Sequence, residues 1–158
     1  EIPSYATAFK TVFVVYFLLQ LALPLRHHFI QDNVLWTEEG HRLSWRMMLR
    51  TKSARTSFRI VDRATNVETQ IKLKDYLTKK QIRSVSSKPD VIWQFAQYLK
   101  TEYANKGKDI EVYVRAYVSV NGRPSKQLID PNIDLANVKW GFFNHHDWIL
   151  PSNLDKNN

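Results

Sequence analysis

From Thr11 to Leu25 the chain carries no charged residue, and the surrounding stretch AFKTVFVVYFLLQLALPL (8–25) is its most hydrophobic part. Nothing else in the sequence restricts the fold so strongly. A run of about 15 apolar residues falls short of the roughly 20 that cross a bilayer. Lys10 and Arg26 flank it, and both can snorkel to lengthen its reach. A signal peptide fits poorly, because the basic start is weak and no small-residue cleavage site precedes Pro24. Two placements remain: a membrane helix, or the C-terminal part of one, and a buried core helix. Pro24 is expected to end or kink either. The chain starts at Glu1 rather than Met, as expected of a piece excised or processed from something longer.

With 158 residues there is room for one ordinary domain and a real core. Aromatic residues make up 13%, so that core or its binding surfaces should be rich in rings. There is no cysteine. Disulfides, thiolate catalysis and cysteine-ligated zinc are thereby excluded. The net charge of +8 is uneven: residues 40–88 hold 13 Lys/Arg against 3 Asp/Glu, and the rest of the chain is slightly acidic. A basic surface suits nucleic acid, anionic headgroups or acidic peptide, and is otherwise a solvated face. Nucleic acid is not expected. The rings fall on the apolar phases of strands and helices, so basic and aromatic positions do not interleave on one surface, except around Trp45.

After His28 the sequence is soluble in character. Residues 43–50 alternate Leu43, Trp45, Met47, Leu49 with Ser44, Arg46, Met48, Arg50, the period of a half-buried strand. Residues 56–61 and 67–73 alternate likewise and are joined by DRATN, which suits a hairpin loop. Residues 74–86 are basic and polar and read as short helices. Ser87-Lys88-Pro89-Asp90 resembles a capping box with Asp for Glu. It opens an amphipathic helix with Ile92, Phe95, Ala96, Leu99 and Tyr103 on one face, stopped by Gly107. Residues 110–120 alternate strictly and run into Asn121-Gly122, a type I′ hairpin signal. Pro124 then fits only an edge or the start of the return strand. The fold class is α+β: an N-terminal hydrophobic helix, then an antiparallel β-sheet domain with one long amphipathic helix. The expected divisions are 1–27 for the helix and its exit, 28–151 for the domain outside the membrane, and 152–158 for a polar tail.

Self-contained enzyme chemistry is hard to find. His27 and His28 are adjacent, as are His145 and His146, and neither pair has a chelating spacing such as HExxH. Within each pair one ring is expected to pack or cap and the other to be exposed. A zinc site drawing on Asp32 or Asp147 is the alternative. Phosphate-loop, dinucleotide and GxSxG patterns are absent. Asp130 and Asp134 flank Pro131 and read as a turn and a helix cap.

Four separated motifs, HHFI (27–30), LW followed by SWRMM (35–48), IDPNIDL (129–135) and KWGFFNHHDWILP (139–151), occur in an order and spacing that resemble the C-terminal part of the vitamin K-dependent gamma-glutamyl carboxylases, including their bacterial homologues. The likeness runs from about His28 to Pro151. It implies a fragment of an integral-membrane enzyme of the carbon–carbon lyase class. That enzyme makes gamma-carboxyglutamate from glutamate in a peptide or protein, with reduced vitamin K (the hydroquinone), O2 and CO2, and without metal or biotin. The hydrophobic helix then corresponds to the last membrane helix, and the domain lies on the lumenal or extracytoplasmic side. The family's activating base is a lysine upstream of this chain, so no catalytic residue is expected here and the fragment alone should be inactive.

By the same resemblance His28 matches a histidine near the quinone. Gly40, His41 and Arg42 fall where the family contacts the glutamate-bearing peptide. Trp36, Trp45, Trp140 and Trp148 match family tryptophans, with ring packing as their expected role. The strand edge after Asn121-Gly122 is a place where an extended propeptide could add as a strand. The implied partners are the peptide substrate and membrane lipid, not nucleic acid. The alternative is a non-catalytic peptide- or partner-binding domain on a related membrane scaffold.

Overall fold

The computed structural model describes residues 5–42, 44 and 50–152. The strand expected over 43–50 falls mainly on residues outside that set, and Trp45 with it. The first element is α1 (Ala6–Leu25), 20 residues long. At 1.5 Å per residue it measures about 30 Å, the thickness of a hydrocarbon core. It is apolar all round, and every side chain from Thr7 to Leu23 is exposed. A core helix of a water-soluble protein would bury one face; among the described residues only Pro24, in the last turn of this helix, is buried. By length and composition it can cross a membrane. Pro24 does not stop the helix but lies in its last turn, after which the backbone tightens into a 3-10 turn, Arg26–Phe29.

Beyond a one-turn helix α2 (Val34–Thr37) comes a four-stranded antiparallel sheet. Its strands are β1 (Lys52–Asp62), β2 (Glu68–Ile71), β3 (Ile110–Val120) and β4 (Lys126–Gln127), in the order β2-β1-β3-β4. β1 pairs along its whole length with β3, Lys52 opposite Val120 and Asp62 opposite Ile110. This register puts Phe58 and Ile60 beside Val112 and Val114 on the covered face. Arg55, Ser57 and Arg59 lie on the open face with Tyr113, Arg115 and Tyr117. The period-2 alternation of β3 dictates that split, since one residue of slip would turn the valines to water. The Asn121-Gly122 turn forms as expected, with φ of +52° and +76°. The outer edge beyond β4 is taken by the chain itself: Ile129 pairs with Ile149, and Leu150 N donates to Leu128 O at 2.8 Å. Little edge is left there for an added strand.

Helices α3 (Lys79–Ser87) and α4 (Pro89–Ala104) cover the apolar face. Ile92, Ala96 and Leu99 are fully buried, and Phe95 meets Phe58 edge-on at 5.0 Å. The capping box is not at Ser87. Ser87 belongs to the end of α3, where its hydroxyl donates to Arg83 O, and Pro89 begins α4 without a side-chain cap. The box is formed by Thr78 and Gln81 at the start of α3. The turn carrying Asp130 and Asp134 is structural: Asp134 Oδ1 accepts from Val112 N and Ala136 N, at 2.8 and 2.9 Å.

Leu99→Ala should lower the unfolding free energy of the domain by about 2–5 kcal/mol, because its site is sealed between helix and sheet. Urea unfolding followed by tryptophan fluorescence in detergent measures it.

Candidate functional site

The loop after α2 is bent by two residues in the left-handed region, Glu38 (φ +59°) and Gly40 (φ +69°). Glycine is required at 40 for a second reason. A Cβ there would lie 3.0 Å from both His27 Cβ and Ile30 Cδ1. The loop is therefore pressed onto the 3-10 turn that leaves α1, and Arg26 fastens it by donating from Nη2 to Arg42 O at 2.9 Å. Two stretches singled out separately in the sequence, His28 and Gly40-His41-Arg42, thus adjoin one end of an apolar helix. His28 is exposed, and its ring lies tilted against that of His27, with centroids 4.1 Å apart. His27 donates from Nδ1 to Pro24 O at 2.7 Å, and its Nε2 is buried without a partner. Arg42 forms an ion pair with Asp90 on α4.

Between these parts lies a cleft of 180 Å³, walled by Arg26, Gly40, Arg42, Trp93, Trp140 and Phe142 among others. Its floor is organised by Glu39, 3% exposed. The Glu39 carboxylate accepts from His146 N (2.9 Å), His146 Nδ1 (2.6 Å) and His145 Nδ1 (2.7 Å). Trp140 stacks on the His146 ring at 4.3 Å, and Trp93 and Trp148 pack around Trp140.

The sequence over residues 5–155 matches the family described as vitamin K-dependent gamma-carboxylase, lumenal domain. The chain belongs to that family. No solved structure matches it. The family places an enzyme around this domain, one that depends on vitamin K, and the apolar α1 with the lumenal domain behind it makes this a membrane protein.

In this lumenal domain a second, polar recess of 310 Å³ lies beside the first, formed by Glu38, His41, Arg50, Lys52, Ser87 and Lys88. Glu38 accepts from Arg50 (2.7 Å) and Lys52 (2.9 Å), and Lys52 Nζ also donates to Trp36 O at 2.8 Å. Burial holds the Lys52 ammonium below its ordinary pKa, with Glu38 opposing. Arg50 donates to His41 Nε2 at 2.6 Å, which leaves the proton on Nδ1, buried and without a partner. Burial first, and then the Arg50 charge, lower the His41 pKa.

The expectation of one packed and one exposed ring holds for one histidine couple and not for the other. His27 and His28 fit that expectation, but His145 and His146 both reach Glu39. The irregular loop that carries them lets neighbouring side chains converge, as a regular strand would not. Among the described residues no group of three His, Cys, Asp or Glu is placed to hold a metal ion. Sequence reasoning missed Glu39, Arg50 and Lys52; the Glu38-Glu39 pair just before a glycine was the available signal.

Gly40→Ala should cost about 1–2 kcal/mol for the left-handed backbone alone, and more for the clash with His27, read as a lower unfolding midpoint. Glu39→Gln turns one acceptor oxygen into a donor facing a histidine N–H, and should cost about 1–3 kcal/mol in the same assay. Folded His41 binds its proton less tightly than unfolded His41, whose ordinary pKa is 6.5. Unfolding therefore takes up a proton below that value, and stability falls as pH drops through it towards the folded pKa. Unfolding midpoints compared between pH 7.5 and 5.5 should fall less steeply in His41→Gln than in the parent.

Proposed function

We propose that this chain is the membrane-exit helix and lumenal domain with which a vitamin K-dependent carboxylase positions its quinone and its glutamyl peptide, while the catalytic base lies upstream. In this reading residues 1–27 belong to the membrane, 28–151 form the domain outside it, and 152–158 are a tail. The supporting observation is the pressing of the Gly40 loop onto the His27–His28 turn. It supports the reading by bringing the turn that carries His28 against the loop that carries Gly40, His41 and Arg42, at the end of an apolar helix.

The residues suit a hydroquinone in kind. An apolar helix leads to His28, which makes no hydrogen bond among the described residues, and His27 Nε2 is an orphaned polar atom beside it. His28 would bind and orient the quinone. When bound, the reduced vitamin supplies, through its oxidation by O2, base strength beyond that of any side chain, enough to remove a glutamyl γ-proton before CO2 is added. Gly40, His41 and Arg42 would hold the glutamate-containing segment. The Gly40 backbone holds the loop against His27 and Ile30, His41 lines the polar recess beside the cleft, and Arg42 offers an exposed guanidinium whose present partner is Asp90. Trp140 and Trp148 fix the wall of the cleft by ring packing.

The test is quinone-dependent incorporation of ¹⁴CO₂ into a glutamyl peptide by the full-length membrane protein. Incorporation is expected. His28→Ala should raise the KM for quinone about tenfold, the loss of one good hydrogen bond, with the KM for peptide little changed. Arg42→Ala should do the reverse. A folded full-length protein with no incorporation would leave the domain as a peptide-binding scaffold without carboxylase activity.

A further inference from the structure

Three phenylalanines near the exit of α1 are displayed to solvent although the domain has a full core: Phe29 is 89% exposed, and Phe142 and Phe143 are each 68% exposed. We propose that the Phe142-Phe143 loop, together with Phe29, inserts into the lumenal leaflet of the bilayer beside the end of α1. The lumenal domain would then touch lipid at a second place, distinct from its helix.

Depth is the first argument. Arg26 is the first residue after α1, and its guanidinium lies over the Phe143 ring, 5.6 Å from the centroid. A helix about 30 Å long that spans the hydrocarbon region ends at the headgroup boundary. A ring in contact with residue 26 is therefore at that boundary, where aromatic side chains are enriched. Phe29 is held at the same level by the 3-10 turn that begins with Arg26.

Rigidity is the second. The loop is held from behind, because Gly141 N donates to His146 Nε2 at 2.9 Å and His146 is tied to Glu39. Paired rings exposed beside the exit of an apolar helix add apolar surface there, and such surface marks an interaction site. Charge is the third. Arg26 and Arg42 wall the cleft that Phe142 also lines. Cations behind apolar rings match phosphate headgroups above acyl chains.

The experiment uses the full-length protein in phosphatidylcholine vesicles. This chain contains no cysteine, so a single cysteine is introduced at Phe142, Phe143 or Phe29, with any cysteine elsewhere in the protein replaced. Each is labelled with an environment-sensitive fluorophore. Tyr117→Cys, on the open face of the sheet, is the reference. Blue-shifted emission and loss of fluorescence with lipids spin-labelled near the headgroup, together with protection from iodide, are expected at 142 and 143, while 117 is quenched by iodide alone. Quenching by iodide at 142 and 143 would place the loop in water and overturn the proposal. Protection from both quenchers would put the rings against another protein surface and overturn it equally. These phenylalanines are at the surface, so their replacement leaves the core untouched, and Phe29→Cys gives an independent reading. No carboxylation is measured, so the result stands apart from the fate of the proposed activity.

Discussion

One carboxylate, Glu39, joins the two halves of the membrane-proximal end. It belongs to the loop that follows α2, yet its oxygens are bonded to His145 and His146, more than a hundred positions later. A buried carboxylate without partners would be strongly unfavourable, and here three donors compensate for the lost water. The ring layer of Trp93, Trp140 and Trp148 packs around the same node. Two further ties run in parallel. Trp36 donates from Nε1 to Leu150 O at 2.7 Å, and Asp32 accepts from Ser152 N and Oγ at 2.7 and 2.6 Å. The segment just after α1 and the segment at the end of the domain are thus welded into one wall of the cleft.

The sheet–helix body has a different character. It is held by apolar burial, with Phe58, Ile92, Leu99 and the inward valines of β3 at its centre, and just past the end of β1 Arg63 pairs with Asp109, Glu111 and Asp134. A second polar group gathers close to the end of α1. There, Lys52 and Glu38 are almost sealed off, with side chains 5% and 8% exposed. A buried ion pair contributes little net stability, because desolvation offsets much of the attraction. Its geometric consequence is firmer: Lys52, at the start of β1, reaches Trp36 O and Ser87 O, and so fixes the distance between loop, sheet and α3.

Local pattern made much of the body legible. The alternation of 110–120, the Asn121-Gly122 turn and the 92–103 stripe are short-range signals, and each formed where expected. α1 was legible as apolar, but its surroundings were not. Only the exposure of every side chain from Thr7 to Leu23 separates a lipid-facing helix from a core helix of the same composition. The site was legible in pieces. His28 and Gly40-His41-Arg42 could be named by motif, but their adjacency depends on the absent Cβ of residue 40. The Glu39 node was hidden because its partners are long-range and its loops have no period to read. The capping signal at Ser87 misled for a related reason: the short helix before it used that serine first.

The two histidines at the end of the chain differ in what they leave available. His146 has Nδ1 directed to Glu39 and Nε2 receiving the Gly141 amide, so both ring nitrogens are occupied by the fold. It is a bracket, unable to act as ligand or base without dismantling the wall that carries Phe142. His145, its neighbour, engages Glu39 through Nδ1, and its Nε2 makes no hydrogen bond among the described residues. The wall thus leaves one imidazole nitrogen, Nε2 of His145, outside its own hydrogen-bond network.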